Sequence, residues 1–218
     1  MSESEDTRTI LNGLGDLGVI ATADQAEQLA RYVALAEKWN RKFNIVSRRD
    51  MDRFLNRHLL DSLTALPWVY PGRFIDLGSG GGLPGIPLSI MFPDADVTLL
   101  ERSEKKARFL SHAVRELSLR NAQVVVMDAK VYRPKSGYLT LVSRAVAPPA
   151  KIWALGQHLL AEGGRMVLHA AVGEDAVSLE MPAGVIAQYK AVAVPGLSEP
   201  HQLLLLERDP DAPAESSG

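Results

Sequence analysis

The stretch RFIDLGSGGGLPGIP, Arg73 to Pro87, limits what this chain can fold into more than any other. Phe74, Ile75 and Leu77 make a short apolar run that holds one acid, Asp76, and breaks into Gly78, Gly80, Gly81 and Gly82. Pro84 and Gly85 follow, and Ile86 to Phe92 can start a helix. Strand, glycine turn and helix is the geometry that presents backbone N–H groups and a helix N-terminus to a small ligand. Glycine is needed because a side chain would block close approach and because left-handed backbone angles disfavour other residues. The stretch therefore predicts a nucleotide-type cofactor site.

Two glycine frames fit it. Gly80, Gly82 and Gly85 satisfy the dinucleotide pattern G-x-G-x-x-G, whereas Gly78, Gly80 and Gly82 give G-x-G-x-G with Asp76 two residues ahead. The second frame resembles that of class I S-adenosylmethionine (SAM) methyltransferases, with the acid close to the methionine end of the cofactor. Glu101 lies 23 residues after Gly78, at the end of the apolar run Val97 to Leu100. A carboxylate there can accept hydrogen bonds from both ribose hydroxyls, and NAD enzymes use the same device. Glu101 thus points to an adenosine-containing cofactor without choosing between SAM and a nicotinamide.

From Arg73 onward strand and helix patterns alternate, the sign of a mostly parallel sheet covered on both faces. Strands are expected at 73–77, 97–101, 123–127, 139–142, 165–169, 185–194 and 202–206, and helices at 86–92, 104–119 and 148–160. Only Pro195, Gly196 and polar residues separate the last two strands, which predicts an antiparallel pair closing the sheet. Ahead of the sheet, Leu29, Val33, Ala36 and Trp39 recur at helical spacing in a helix expected over 24–43, with Thr22 or Asp24 as its cap. A further helix is expected over 51–66, with Phe54, Leu59, Leu63 and Leu66 facing inward. Gly13, Gly15 and Gly18 suggest a loose start and a short helix within the first 22 residues. The domain reading is a helical extension over 1–72, a cofactor-binding core over 73–208 and a disordered tail over 209–218.

Composition removes several functions. With no cysteine in 218 residues, disulfides, thiolate nucleophiles and Cys-based zinc sites are excluded. His58, His112, His158, His169 and His201 show no H-x-x-x-H spacing, so no metal is expected. No G-x-S-x-G elbow supports a hydrolase. No apolar run approaches a membrane span, and the acidic start MSESEDTRTI lacks the pattern of a signal peptide, so a cytoplasmic protein is expected, and nothing in the sequence demands more than a monomer. A formal net charge of −2 argues against a protein that coats nucleic acid unspecifically. Locally, Lys38, Arg41, Lys42, Arg48, Arg49, Arg53 and Arg57 face only Asp50 and Asp52, a face that can hold phosphates or simply meet solvent.

Four segments together resemble the glucose-inhibited division protein B family, bacterial 16S ribosomal RNA guanine-N7 methyltransferases. They are Lys38-Trp39-Asn40 with Asn44, Arg57-His58-Leu59-Leu60-Asp61-Ser62, the glycine stretch through Pro87, and Ser143-Arg144-Ala145. Order and spacing match from about residue 20 to residue 208. The resemblance implies a class I methyltransferase fold, α/β and Rossmann-like, with a mostly parallel seven-stranded sheet, an antiparallel last strand and an N-terminal helical extension. It implies transfer of methyl from SAM to N7 of one guanine in the decoding region of the small ribosomal subunit. Cofactor contacts carry over to Gly78 and Leu83 in the loop, to Ala129 and Lys130 after the third strand, and to Arg144; the glycine pattern adds Gly80 and Gly82, and the Asp128 carboxylate could accept from the adenine amine. Asp76 and Glu101 take the general methyltransferase roles, while Arg57, His58 and Asp61 fall on the substrate RNA side, where the basic face adds Arg48. Two departures stand out: Asp128-Ala129-Lys130 replaces the family's Arg-x-Glu, and His169-Ala170 replaces its Lys-Gly.

Guanine N7 carries no proton, so the chemistry needs no catalytic base, and none is assigned. Arg144 and His58 are expected to position the reactants. Arginine commonly reads guanine through O6 and N7 together, but N7 must stay open to attack. Arg144 is therefore expected on the cofactor, on a phosphate or on O6 alone. His58, Arg57 and Asp61 could instead be a structural turn, since positions 57 and 61 pair along a helix. A nicotinamide oxidoreductase would explain the glycines and Glu101 but leave the RHLLDS segment without a role. A ribosome binder that has lost catalysis would have little reason to keep the glycine loop.

Overall fold

The protein is described here by a computed structural model covering residues 3–43, 54–144, 147–170 and 181–212. Arg48, Asn44 and Ala145 lie outside these residues, as do the side chains of Lys42, Phe43 and Arg57.

Seven strands form one sheet in the order β3-β2-β1-β4-β5-β7-β6. They are β1 (Arg73–Leu77), β2 (Asp96–Glu101), β3 (Ala122–Val126), β4 (Tyr138–Arg144), β5 (Leu160–Ala170), β6 (Val185–Val192) and β7 (His201–Arg208). All pairings from β3 to β5 are parallel, and β7 runs antiparallel to both β5 and β6. The last strand is thus inserted between its two predecessors in the chain. Phe74, Ile75, Asp76 and Leu77 of β1 are all buried, as a strand covered on both faces requires.

Helices α1 (Glu3–Asp16), α2 (Ala23–Phe43), α4 (Gly85–Met91) and α5 (Glu104–Glu116) share one core with the sheet, joined by Leu59, Leu60 and Leu63. A second core, with Trp153 and Ile152 of α6 (Pro149–Gly156), lies against Ile75, Leu141 and Met166. Thr22 begins α2 with a reciprocal cap. Its N–H donates to Gln25 Oε1 at 2.9 Å, and the Gln25 N–H donates to Thr22 Oγ1 at 3.2 Å.

Three expectations change. The glycine-rich start is not loose: α1 runs straight through Gly13 and Gly15, because Ile10 and Leu14 are buried. A Cβ at Gly13 would lie 2.6 Å from Leu60 Cδ1, so the missing side chain lets α1 press against the next element. From residue 54 on, where the described residues resume, the helix expected over 51–66 is instead a π-helical segment, Phe54–Leu60, followed by a single α turn, α3 (Asp61–Leu63), and a 3-10 turn at Leu66–Trp68. Phe54, Leu59, Leu63 and Leu66 nevertheless face inward as expected. The helix expected over 148–160 ends at Gly156, and β5 begins directly after a 3-10 turn.

Candidate active site

A cleft of about 600 Å³ opens at the carboxyl ends of β1, β2 and β4, where open α/β sheets place their ligands. One wall is the glycine loop. Gly78, Gly80 and Gly82 adopt φ of +74°, +53° and +89°, which is why the alternate positions of G-x-G-x-G are glycine. The Gly78 and Ser79 N–H groups both donate to Leu100 O, at 2.9 and 3.1 Å, tying the loop to β2. Tyr32 of α2 donates its hydroxyl to Gly81 O at 2.6 Å from the helical side.

Gly85 is glycine for a different reason. A Cβ there would come within 2.4 Å of Leu99 Cδ2 and 2.5 Å of Asp76 Oδ2. The Gly85 N–H donates to that same Asp76 oxygen at 3.0 Å. Asp76 is fully buried behind the loop and does not line the cleft, and Gly82 also stands back from it. Burial is the main force on the Asp76 carboxyl and pushes its pKa up to about 7, against the opposing pull of hydrogen bonds from Gly85 and Ser79. Asp76 thus braces the loop from below.

Glu101, at the end of β2, does line the cleft. Its Oε2 accepts the Gly80 N–H at 2.9 Å and its Oε1 the Ser103 N–H at 2.8 Å. An ionised carboxylate has about four acceptor positions, so two backbone bonds leave capacity for two hydroxyl donors. Leu77, Leu83, Leu100, Met127, Ala129 and Leu155 supply an apolar lining suited to a planar base. After β3, Asp128 Oδ1 accepts the Lys130 N–H at 2.9 Å, and Asp128, Ala129 and Lys130 all border the cleft. A stripped backbone wall, a carboxylate with spare acceptors and an apolar slot fit an adenosine cofactor.

Arg144 closes the cleft at the end of β4, with His58 beside it. Arg144 Nη2 lies 2.5 Å from His58 Nδ1, and Nη1 donates to His58 O at 3.4 Å. Arginine has no acceptor, so Nδ1 accepts and the His58 ring carries its proton on Nε2. Arg144 Nη2 also lies 3.5 Å from Asp61 Oδ2. Asp61 is buried behind Arg144, outside the cleft lining, so the structure brings Arg144 and His58 together at the cleft and sets Asp61 behind them.

Sequence reasoning passes over Lys106 and Lys151, which border the cleft from α5 and α6, and Tyr32. Lys106 follows the strand that ends in Glu101, and an inventory of the first turn after β2 would find it. Nothing local marks Tyr32, whose role depends on contact across 49 residues. Among the described residues no group of three or more His, Cys, Asp or Glu side chains could hold a metal ion, and no helix is long and apolar enough to cross a membrane.

A profile of the family described as rRNA small subunit methyltransferase G matches residues 25–205. The chain belongs to that family. The "Ribosomal RNA small subunit methyltransferase G" of Laribacter hongkongensis is 40% identical over 195 residues, covering 89% of this chain and 94% of the relative. Among solved structures, a point mutant of MtNAS in complex with S-adenosylmethionine superposes with a TM-score of 0.55 at 18% identity, covering 94% of this chain and 77% of the other. Precorrin-6y C5,15-methyltransferase of Geobacter metallireducens gives 0.52 at 15% identity, covering 75% and 90%. These two likenesses are of fold, and with the sheet order they establish the class I methyltransferase architecture. The family match takes in the helical layer from Gln25 as well as the sheet, and so includes Tyr32, whose hydroxyl meets the glycine loop.

Proposed function

We propose that the protein transfers a methyl group from SAM to N7 of a guanine in the decoding region of 16S ribosomal RNA. The observation that carries the reading is one cleft in which the glycine wall and Glu101 face Arg144 and His58, in a chain that matches the rRNA methyltransferase family along most of its length. The resemblance of RHLLDS and the glycine stretch supports the guanine-N7 target.

Bound SAM supplies an electrophilic methyl group on a sulfonium. The chain's own part is to hold and aim. Gly78, Gly80 and Leu83 give the cofactor a backbone wall, Glu101 takes the ribose hydroxyls, and Asp128, Ala129 and Lys130 flank the base. No side chain has to remove a proton from N7. Holding reacting atoms about 3–3.5 Å apart and in line can supply much of the acceleration. Arg144, steadied by Asp61 and His58, presents a guanidinium edge that suits O6 or a flanking phosphate and leaves N7 open. Arg57 is assigned to the RNA on the family resemblance, and Arg48 on the run of basic residues from Lys38 to Arg57. The helical residues 1–72 are read as an extension of a 73–208 catalytic core, in a monomer working in the cytoplasm without a metal.

The test is methyl transfer from radiolabelled SAM to small subunits from a strain lacking the homologue, with the labelled nucleoside identified. Label in 7-methylguanosine supports the reading. Tight SAM binding with label elsewhere would keep the cofactor and overturn the target. A folded particle is expected to be methylated faster than bare RNA, and equal rates would refute that part.

A further inference from the structure

His201 opens β7, and its Nδ1 lies 3.1 Å from Asp61 Oδ1, across 140 residues of chain. The other oxygen of the same carboxylate faces Arg144 Nη2 at 3.5 Å. Behind them, His169 Nε2 lies 3.0 Å from the main-chain O of Asp61, which can only accept, so Nε2 carries the proton, and burial holds the ring below its usual pKa and favours its neutral form. Register places all three strand residues at one corner, since Arg144 pairs with His169 on β5 and His169 with Leu203 on β7. Asp61 is therefore gripped from β4, β5 and β7 at once, and each grip comes from a different strand.

We propose that His201 is a positioning residue for methyl transfer: through the buried carboxylate of Asp61 it fixes where the Arg144 guanidinium stands in the cleft. The chemistry of the pair supports this. A carboxylate held at 6% exposure needs its lone pairs met, and breaking one partner of such a group leaves it to reorient toward whatever remains. Its contact with His201 is shorter than its contact with Arg144. Removing the His201 donor therefore frees the carboxylate to turn fully onto Arg144 and draw the guanidinium out of line. His201 does not line the cleft, so its effect reaches the reaction only by way of Asp61 and Arg144.

The inference rests on the methyltransferase reading above, and the experiment separates the two. His201→Asn keeps an N–H donor where Nδ1 now stands, whereas His201→Gln fills a similar space with its amide displaced toward the Nε2 position. The wild type, both variants, Arg144→Ala and the His201→Gln/Arg144→Ala pair are compared in methyl transfer to small subunits. SAM affinity by calorimetry and thermal midpoints are measured alongside. His201→Gln is expected to lower kcat about tenfold, in keeping with the cost of small misplacements. His201→Asn should retain most of the activity at an equal thermal midpoint. In the Arg144→Ala background His201→Gln should add nothing, since coupled residues do not contribute additively. The SAM dissociation constant of His201→Gln should shift in the same sense as that of Arg144→Ala. An active wild type with His201→Gln equally active, or a full extra loss on top of Arg144→Ala, would overturn the role of His201 alone. A wild type that binds SAM but transfers no methyl would overturn both readings.

Discussion

The cleft has two sides made by different means. The glycine wall is backbone, set by a short run of residues whose φ angles and close packing admit almost nothing but glycine. The Arg144 corner is side chain, assembled from the π-helical segment, α3, β4, β5 and β7 by hydrogen bonds that cross 86, 108 and 140 residues of chain. A wall of the first kind fails all at once when one residue changes. A corner of the second kind loses alignment by degrees and leaves the fold standing.

Gly85→Ala puts the sharpest strain on that contrast. Its Cβ would meet Leu99 and Asp76 inside normal contact distance, so a loss of about 3 kcal/mol of stability, with SAM binding abolished, is expected in calorimetry and thermal unfolding. Arg144→Ala should stay folded with a lowered midpoint, since it removes one partner of the buried Asp61 carboxylate while His201 keeps the other, and its larger effect should be a loss of about a hundredfold in kcat/KM. If Arg144→Ala unfolded the protein and Gly85→Ala did not, the two sides would have exchanged roles.

Asp76 gives a smaller effect with a definite sign. Its folded pKa is raised to about 7, so the native state holds this proton more tightly than the unfolded chain does. The stability it contributes is whole below about pH 4, the ordinary carboxyl range, and is lost as pH rises through 7. Asp76→Asn keeps a neutral acceptor for the Gly85 N–H. Its thermal midpoint should fall less than the wild type's between pH 5 and 8, with a gain of about 2 kcal/mol at pH 8. Parallel pH profiles for the two proteins would show that the buried carboxyl does not titrate there. Smallest is Tyr32→Phe, which removes the hydroxyl bond to Gly81 O. About 1 kcal/mol, or fivefold in SAM affinity, is expected in calorimetry, with little change in kcat.

The same division decides what can be read from the sequence. Strand, loop and helix around Gly78 to Gly85 are legible because one local requirement dictates each residue. β1, the start of α5 and the closing strands follow from periodicity and turn residues. The corner is legible only in part. RHLLDS and Arg144 can be named by resemblance, which puts Asp61 on the RNA side although its carboxylate is spent on Arg144 and His201. His201 leaves no signal, because a single histidine before a run of leucines carries no mark of a partner so far away. Asp76, too, reads from the sequence as a cofactor contact, and only the packing of Gly85 shows it braced beneath the loop. The glycines of α1 mislead for the opposite reason: local propensity argues for a break, and burial of Ile10 and Leu14 overrides it.

The insertion of β7 between β5 and β6 has a consequence for how the chain is made. As it emerges from the ribosome, β1 through β5 can pair in turn, but β6 has no neighbour until β7 arrives. Until His201 to Arg208 are released, the β5 edge stands open, lined by Met166, Val167 and Leu168. A nascent chain halted before His201 should therefore remain sensitive to brief protease treatment, and one extended past Arg208 should resist it. Because His201 also anchors Asp61, the arrival of this one strand would close the sheet and complete the reactive corner in a single event.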